Sequence, residues 1–258
     1  MSANTVPTLL GRTALITGAP SWTGQGIARS LAAQGARIAV NDIDAAKAAG
    51  LAAELSAEGH AAHAAVFDVT DFEAVRRGMA DVERAFAPID IVVNNVGMLR
   101  QRLTHHPFEQ TSPEEWKPWV ELNIYGSLNC VRWALPGMLQ RRWGRIIQIS
   151  TTLASRGLPN RESLYAGSKA GIEGALRNIA MEVADKGVTV NTLAVSLLKN
   201  AVDLAAPDVV AATLAKIPLG RYIEPREVGA AAAWLASPDA ACVTGQTIHL
   251  NGGAYHGR

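Results

Sequence analysis

Seven short apolar runs alternate with longer stretches of helical spacing, and that alternation leaves the chain very few ways to fold. The runs are Ala14–Thr17, Ile38–Val40, Val66–Phe67, Ile89–Val93, Arg145–Ile149, Val188–Leu193 and Thr247–Leu250. Their apolar residues are consecutive rather than alternating, as in strands of a parallel sheet covered on both faces. Helical spacing occupies Gly24–Gln34, Ala45–Glu58, Asp71–Phe86, Pro113–Gln140 with a break, Ser163–Lys186 and Pro225–Ala236. The order predicts an α/β fold, a doubly wound parallel sheet in a single domain, with ligand bound beyond the carboxyl ends of the strands. Residues 1–10 are expected to form a flexible N-terminal extension. Ser112-Pro113-Glu114-Glu115 reads as a helix start, and Pro118 soon after it should kink that helix.

Charge and cysteine content exclude several functions. Lys+Arg 24 against Asp+Glu 23, without a basic block, gives no footprint for a nucleic-acid partner. Cys130 and Cys242 lie far apart without ligand spacing and read as small buried side chains in a reducing compartment. No apolar run has the length of a membrane span, and the first residues lack the pattern of a signal peptide, so a cytoplasmic location is expected. His60, His63, His105, His106, His249 and His256 show no carboxylate at ligand spacing, and no metal site is expected. The six tryptophans read mostly as helical core residues.

The first strand runs through Thr17-Gly18-Ala19-Pro20-Ser21-Trp22-Thr23-Gly24-Gln25-Gly26 into a helix. Glycines at such a turn let the backbone approach a pyrophosphate, and the helix N-terminus favours negative charge. The second strand ends at Asp42, where a carboxylate can accept hydrogen bonds from ribose hydroxyls and repel a 2′-phosphate; with no Arg or Lys between Gly18 and Ile27, NAD is expected over NADP. Asp68-Val69 after the third strand and Asn94-Asn95-Val96-Gly97 after the fourth belong to the same ligand edge.

Tyr165 and Lys169 stand four residues apart, hence on one face of a helix. A cation beside a phenol favours the phenolate and moves it toward a pH where it exchanges a proton with an alcohol or carbonyl. Asn123, unfavourable inside a helix unless it does something specific, and the hydroxyl cluster Ser150-Thr151-Thr152 complete the constellation. Arg156, Arg161 and Glu162 should border the substrate and make an acidic or polar one conceivable, although solvated loop charges are the simpler reading.

With these motifs in this order, the chain resembles the short-chain dehydrogenase/reductase family over Gly11 to Gly253, including a tail with Ile217-Pro218-Leu219-Gly220-Arg221 and Asn251-Gly252-Gly253. The resemblance implies a Rossmann-type fold. It implies that Tyr165 is the general acid/base, that Lys169 lowers its pKa and holds the nicotinamide ribose, that Asn123 supports a proton-relay water, and that a hydroxyl orients the substrate oxygen. Cofactor contacts are then expected from Gly18, Thr23, Gly24, Gly26, Asp42, Asp68, Val69, Asn95, Gly97, Tyr165, Lys169 and Leu198. It also implies a homotetramer built on Ser127–Gln140 and Ser163–Lys186.

Three departures stand out. Five residues separate Gly18 from Gly24 where the family usually has three, so a longer phosphate loop is expected. Val195-Ser196 stands where Pro-Gly is usual after the sixth strand. Ungapped counting from Arg145 puts Thr151 at the position of the family's catalytic serine, and strand geometry favours Thr151 over Ser150. The expected activity is hydride transfer between NAD(H) and a ketone or secondary alcohol. The alternatives are a 3-oxoacyl thioester reductase, against which Asp42 counts because that task usually uses NADP, and a catalytically silent NAD-binding protein.

Overall fold

Each apolar run marks a strand of one seven-stranded sheet in the computed structural model, which describes residues 8–99, 106–158, 161–196 and 207–255. The strands are β1 (Thr13–Ile16), β2 (Arg37–Asp42), β3 (Ala62–Val66), β4 (Ile91–Asn94), β5 (Gly144–Thr151), β6 (Val188–Val195) and β7 (Thr247–Leu250). Their order is β3-β2-β1-β4-β5-β6-β7, and every pairing is parallel. The helices are α1 (Trp22–Ala33), α2 (Ala45–Ala57), α3 (Phe72–Ala85), α4 (Pro113–Val120), α5 (Gly126–Arg141), α6 (Ser163–Val183), α7 (Pro207–Leu214) and α8 (Pro225–Ala236).

Strand periodicity divides the core into two layers. Ala14 and Ile16 of β1 join α1, α2 and α8 through Ile27, Leu51 and Leu235. Leu15, between them, points the other way and joins α3, α5 and α6 through Met79, Met138 and Leu176. β1 is therefore apolar on both sides. Burying the two faces is the main driving force for the sheet, at about 25 cal/mol per Å² of apolar surface.

Several expectations are corrected. The third strand lies earlier than Val66–Phe67: it is an edge strand in which His63 pairs with Ala39, and an edge tolerates the polar residues that hide it in the sequence. Leu9 is fully buried and its N–H meets the Gln34 carbonyl at 2.9 Å, so the expected extension is docked by residue 9; residues 1–7 lie outside the described residues. Pro207 opens α7, a helix outside the six stretches of helical spacing. Cys130 is buried, and burial pushes its thiol up to about 12, but Cys242 is exposed. Of the six tryptophans only Trp119 is buried, Trp133 and Trp143 pack half-buried against the core, and Trp22, Trp116 and Trp234 are among the exposed large apolar residues.

The helix start at Ser112 has the expected form, with Pro113 at the first helical position and the Glu115 carboxylate accepting the Ser112 N–H at 2.8 Å. The break falls beyond Pro118, as one π-helical turn over Glu121–Tyr125 in which Gly126 N–H reaches back to the Glu121 carbonyl. Such turns insert a residue into a helix and re-aim its side chains. Here the re-aimed residue is Asn123.

Candidate active site

A crevice opens where the strand order reverses between β1 and β4. Gly18 turns the chain there with φ +58°, a conformation that favours glycine. The turn is fastened to the end of β4: Thr17 Oγ1 accepts the N–H groups of Asn95 (3.0 Å) and Val96 (3.2 Å), and Asn95 Nδ2 donates to the carbonyls of Thr17 and Gly18, both 2.9 Å, and to Ser21 Oγ at 3.0 Å. Ser21 then caps α1 by accepting the Gly24 N–H at 3.2 Å. Asn95 thus shapes the turn from behind.

The longer loop expected from the Gly18 to Gly24 spacing is absent. Three residues, Ala19 to Ser21, separate Gly18 from the first residue of α1, the spacing usual in the family, and Trp22 stands where its second glycine would be. Its side chain is 62% exposed at the crevice end of α1. Thr23 is nearly buried in that first turn, and a Cβ on Gly24 would lie 2.5 Å from the Ala19 carbonyl oxygen. Gly26 faces elsewhere. A Cβ there would lie 2.2 Å from the Pro225 carbonyl oxygen, and one on Gly229 would lie 2.2 Å from the Gly26 carbonyl oxygen, so this glycine lets α1 and α8 cross closely and is corrected from a cofactor contact to a packing residue.

Asp42 ends β2 with its Oδ1 accepting the Asp44 N–H at 2.8 Å, which fixes the carboxylate at the sheet's ligand edge. Asp68 closes a local turn by accepting the Thr70 N–H and hydroxyl, each at 2.8 Å. Val69 is buried, and a Cβ on Gly126 would lie 2.9 Å from its Cγ2; its side chain belongs to the core, leaving only backbone for a ligand. Leu198 lies outside the described residues.

At the chemical end, α6 presents Tyr165 and Lys169. The Thr151 hydroxyl at the end of β5 lies beside the Tyr165 phenol and holds its pKa down, while its Oγ1 accepts the Leu153 N–H at 3.3 Å; the tyrosine ring packs on Trp119 with centroids 5.5 Å apart. Ser150 turns to the α6 layer and donates its proton to Glu173 instead. Lys169 is 2% exposed, with Nζ donating to the carbonyls of Ile149 at 2.9 Å and Val96 at 3.3 Å. A Cβ on Gly97 would lie 2.4 Å from that Nζ and 3.2 Å from Asn123 Oδ1, so the bare backbone of Gly97 is what lets the two side chains share one space. Asn123 is fully buried, with neither Nδ2 nor Oδ1 partnered. Leaving such groups empty costs about 1–3 kcal/mol each, and a polar occupant between Asn123 and Lys169 removes that cost.

Burial, with a smaller contribution from Glu162, pushes the Tyr165 phenol up to about 12, against the Thr151 hydroxyl. Burial pushes Lys169 down to about 7, against the charge of Glu173. Lys169 is not among the groups that move the Tyr165 phenol here; its Nζ is turned to the backbone carbonyls of Ile149 and Val96. The phenol keeps its proton near neutral pH, the state that donates to a carbonyl oxygen.

The adjoining cleft of about 510 Å³ is lined by Tyr165, Trp119, His106, Glu115, Arg161 and Glu162 among others. His106 Nε2 meets Glu115 Oε1 at 2.8 Å, so a carboxylate nine residues away in sequence faces this histidine after all. Arg161 adopts φ +58°, uncommon for a residue with a side chain. Arg156 turns away, donating to the Ala254 carbonyl at 2.6 Å.

Sequence reading missed Ser21, Trp119 and Glu173. Only Glu173 carried a legible signal, its four-residue spacing from Lys169.

The family model described as enoyl-(acyl carrier protein) reductase matches residues 18–255. The chain belongs to the short-chain dehydrogenase/reductase family. The 3-oxoacyl-[acyl-carrier-protein] reductase of Vibrio cholerae is 37% identical over 248 residues, 96% of this chain and 98% of the relative. Among solved structures, a gluconate 5-dehydrogenase from Burkholderia cenocepacia in complex with NADP and tartrate superposes with a TM-score of 0.88 at 31% identity, covering 96% of this chain and 97% of that one. A 3-oxoacyl-[acyl-carrier protein] reductase from Brucella melitensis with bound NAD superposes with a TM-score of 0.88 at 30% identity, covering 97% and 93%. The chain is accordingly an NAD(P)-dependent oxidoreductase with a Rossmann-type fold. The residues present fit the dinucleotide: a glycine turn at a helix N-terminus, a carboxylate at the end of β2, and a polar space beside Gly97 with unpartnered amide groups.

Proposed function

We propose that the chain reduces the 3-oxo group of an acyl thioester with NADH, a narrower reaction than the ketone and alcohol chemistry expected from sequence. The Thr151 hydroxyl beside the Tyr165 phenol carries the reading, because it brings a second hydroxyl next to a protonated phenol that lines the cleft. A carbonyl oxygen placed there accepts from both. Tyr165 gives up its proton as the carbon is reduced, Thr151 holds the developing alkoxide, and Lys169 and Asn123 would hold the ribose and a water through which the phenol regains its proton. The bound nicotinamide supplies the hydride.

Relatives named 3-oxoacyl reductases favour the thioester. Asp42 favours NADH, and the NAD bound in the Brucella reductase supports joining that cofactor to the thioester reading. The same reading includes a homotetramer, for which Val120 and Tyr125 offer exposed apolar surface beside α5, and a cytoplasmic location; among the described residues no helix is long and apolar enough to cross a membrane.

A second reading, oxidation of a hydroxy acid, is favoured by Arg161, Glu162 and the His106–Glu115 pair in the cleft and by the tartrate in the Burkholderia complex. NADH and NADPH oxidation with acetoacetyl thioesters, set against NAD reduction with gluconate and tartrate, separates the two. Turnover of the hydroxy acids alone would replace the first reading by the second. NADH binding without turnover of any of them would leave a silent binding protein.

A further inference from the structure

Four ionisable side chains stand at four-residue intervals along α6: Tyr165, Lys169, Glu173 and Arg177. At that spacing they share one face of the helix. The proposed chemistry uses the first two. It gives no task to Glu173, although this carboxylate is only 6% exposed, and burying a carboxylate is costly unless something compensates it. Its compensation is specific. Ser150, on the strand face turned toward α6, donates its hydroxyl proton to Glu173, and the adjacent Ile149 carbonyl receives Lys169 Nζ at 2.9 Å. The carboxylate and the ammonium are thus referenced to consecutive residues of β5.

We propose that Glu173 is a positioning residue: a buried counter-charge, oriented by Ser150, that keeps Lys169 in its ammonium form at the active site. The inference rests on the hydride-transfer reading only for its kinetic consequence. Lys169 Nζ is held from β5 by the Ile149 carbonyl and from the segment after β4 by the Val96 carbonyl, and shares the space beside Gly97 with Asn123 of the π-helical turn; on α6, Tyr165 stands one turn before it and Glu173 one turn after, acting on it by charge. Among these groups Glu173 alone brings a negative charge. Its own carboxyl is raised by burial and held back by the Ser150 hydrogen bond and by the charges of Arg177 and Lys169. Lys169, lowered to about 7 by burial, has Glu173 as the charge that opposes the shift.

The sign of the kinetic effect follows. A carbonyl reduction that needs the Lys169 ammonium slows as pH rises through the lysine pKa, and removing the anion starts that decline at lower pH. Glu173→Gln keeps the shape and can still accept from Ser150.

The test titrates Lys169 directly by NMR of protein labelled at lysine Cε, assigned among the six lysines with Lys169→Arg, and then follows kcat for reduction from pH 6 to 9. In Glu173→Gln the Lys169 titration should fall by about one pH unit, and kcat should drop about tenfold at pH 8 but only about twofold at pH 6. Glu173→Asp should return both toward the starting protein. Ser150→Ala, which leaves the carboxylate in place without its donor, should shift the titration the same way by a smaller amount and serves if Glu173→Gln does not fold. An unchanged lysine titration, or an activity loss equal at every pH, would overturn the proposal. A shifted titration in a protein that reduces no 3-oxoacyl thioester would leave it standing and sink only the substrate reading.

Discussion

Thr151 lies beside the Tyr165 phenol, while its neighbour Ser150 gives its proton to Glu173. Consecutive strand residues point to opposite faces, so the two hydroxyls cannot do the same work. Ser150 shares its side of β5 with Ile146 and the α6 layer; Thr151, the last residue of the strand, points to the other side.

Thr151→Val keeps the branched shape and removes the hydroxyl. It should cost about 1.5–3 kcal/mol of transition-state stabilisation, roughly a 10- to 150-fold loss in kcat/KM, the range for a hydrogen bond to a charged group. Ser150→Ala should stay within about threefold at pH 6, where Lys169 remains mostly charged. Steady-state rates of the two variants side by side decide the matter, and a larger loss for Ser150→Ala would put the wrong hydroxyl in the site.

Tyr165→Phe preserves the ring against Trp119 and removes the proton. General acid catalysis contributes about 10²-fold or more, so kcat should fall by at least that factor while NADH binding, followed by fluorescence, survives. The phenol is held up at about 12, so the decline in reduction between pH 6 and 9 should belong to Lys169 and should disappear from the pH profile when that lysine, not the tyrosine, is replaced. A residual activity near that of the starting protein would make Tyr165 a packing residue.

The sheet was legible because burial on both faces forces consecutive apolar residues, a pattern that survives without knowing any contact. β3 was misplaced because an edge strand escapes that constraint, and His63 could sit in it. The pairing of Tyr165 with Lys169 was legible because helix periodicity alone puts them on one face. Their electrostatics were not: the position of the Lys169 ammonium depends on the carbonyls of Val96 and Ile149, which come from two other segments. Counting glycines misled twice, since Gly24 and Gly26 look like turn residues until α8 is seen lying against the second of them.

Asp42 sits where the ribose of an adenosine would meet the end of β2, with its carboxylate fixed by the Asp44 N–H. A 2′-phosphate there meets like charge. kcat/KM with NADH should exceed that with NADPH by at least about 100-fold, equivalent to about 2.7 kcal/mol. Asp42→Ala should narrow the gap, chiefly by weakening NADH. Equal rates with both cofactors in the unmodified protein would reject this role for the carboxylate.

Gly26→Ala separates packing from cofactor binding at the α1 helix. The added methyl would stand 2.2 Å from the Pro225 carbonyl oxygen, closer than any ordinary contact, so α1 and α8 must move apart. Overpacking of this kind costs about 1–3 kcal/mol. The substitution regains about 1 kcal/mol because alanine favours helix over glycine, leaving a net loss of up to about 2 kcal/mol. Denaturant unfolding should register that loss, while the Kd for NADH in the folded variant stays within about twofold, a change of less than ~0.5 kcal/mol. Unaltered stability with a tenfold weaker Kd would return Gly26 to the dinucleotide site and remove it from the helix crossing.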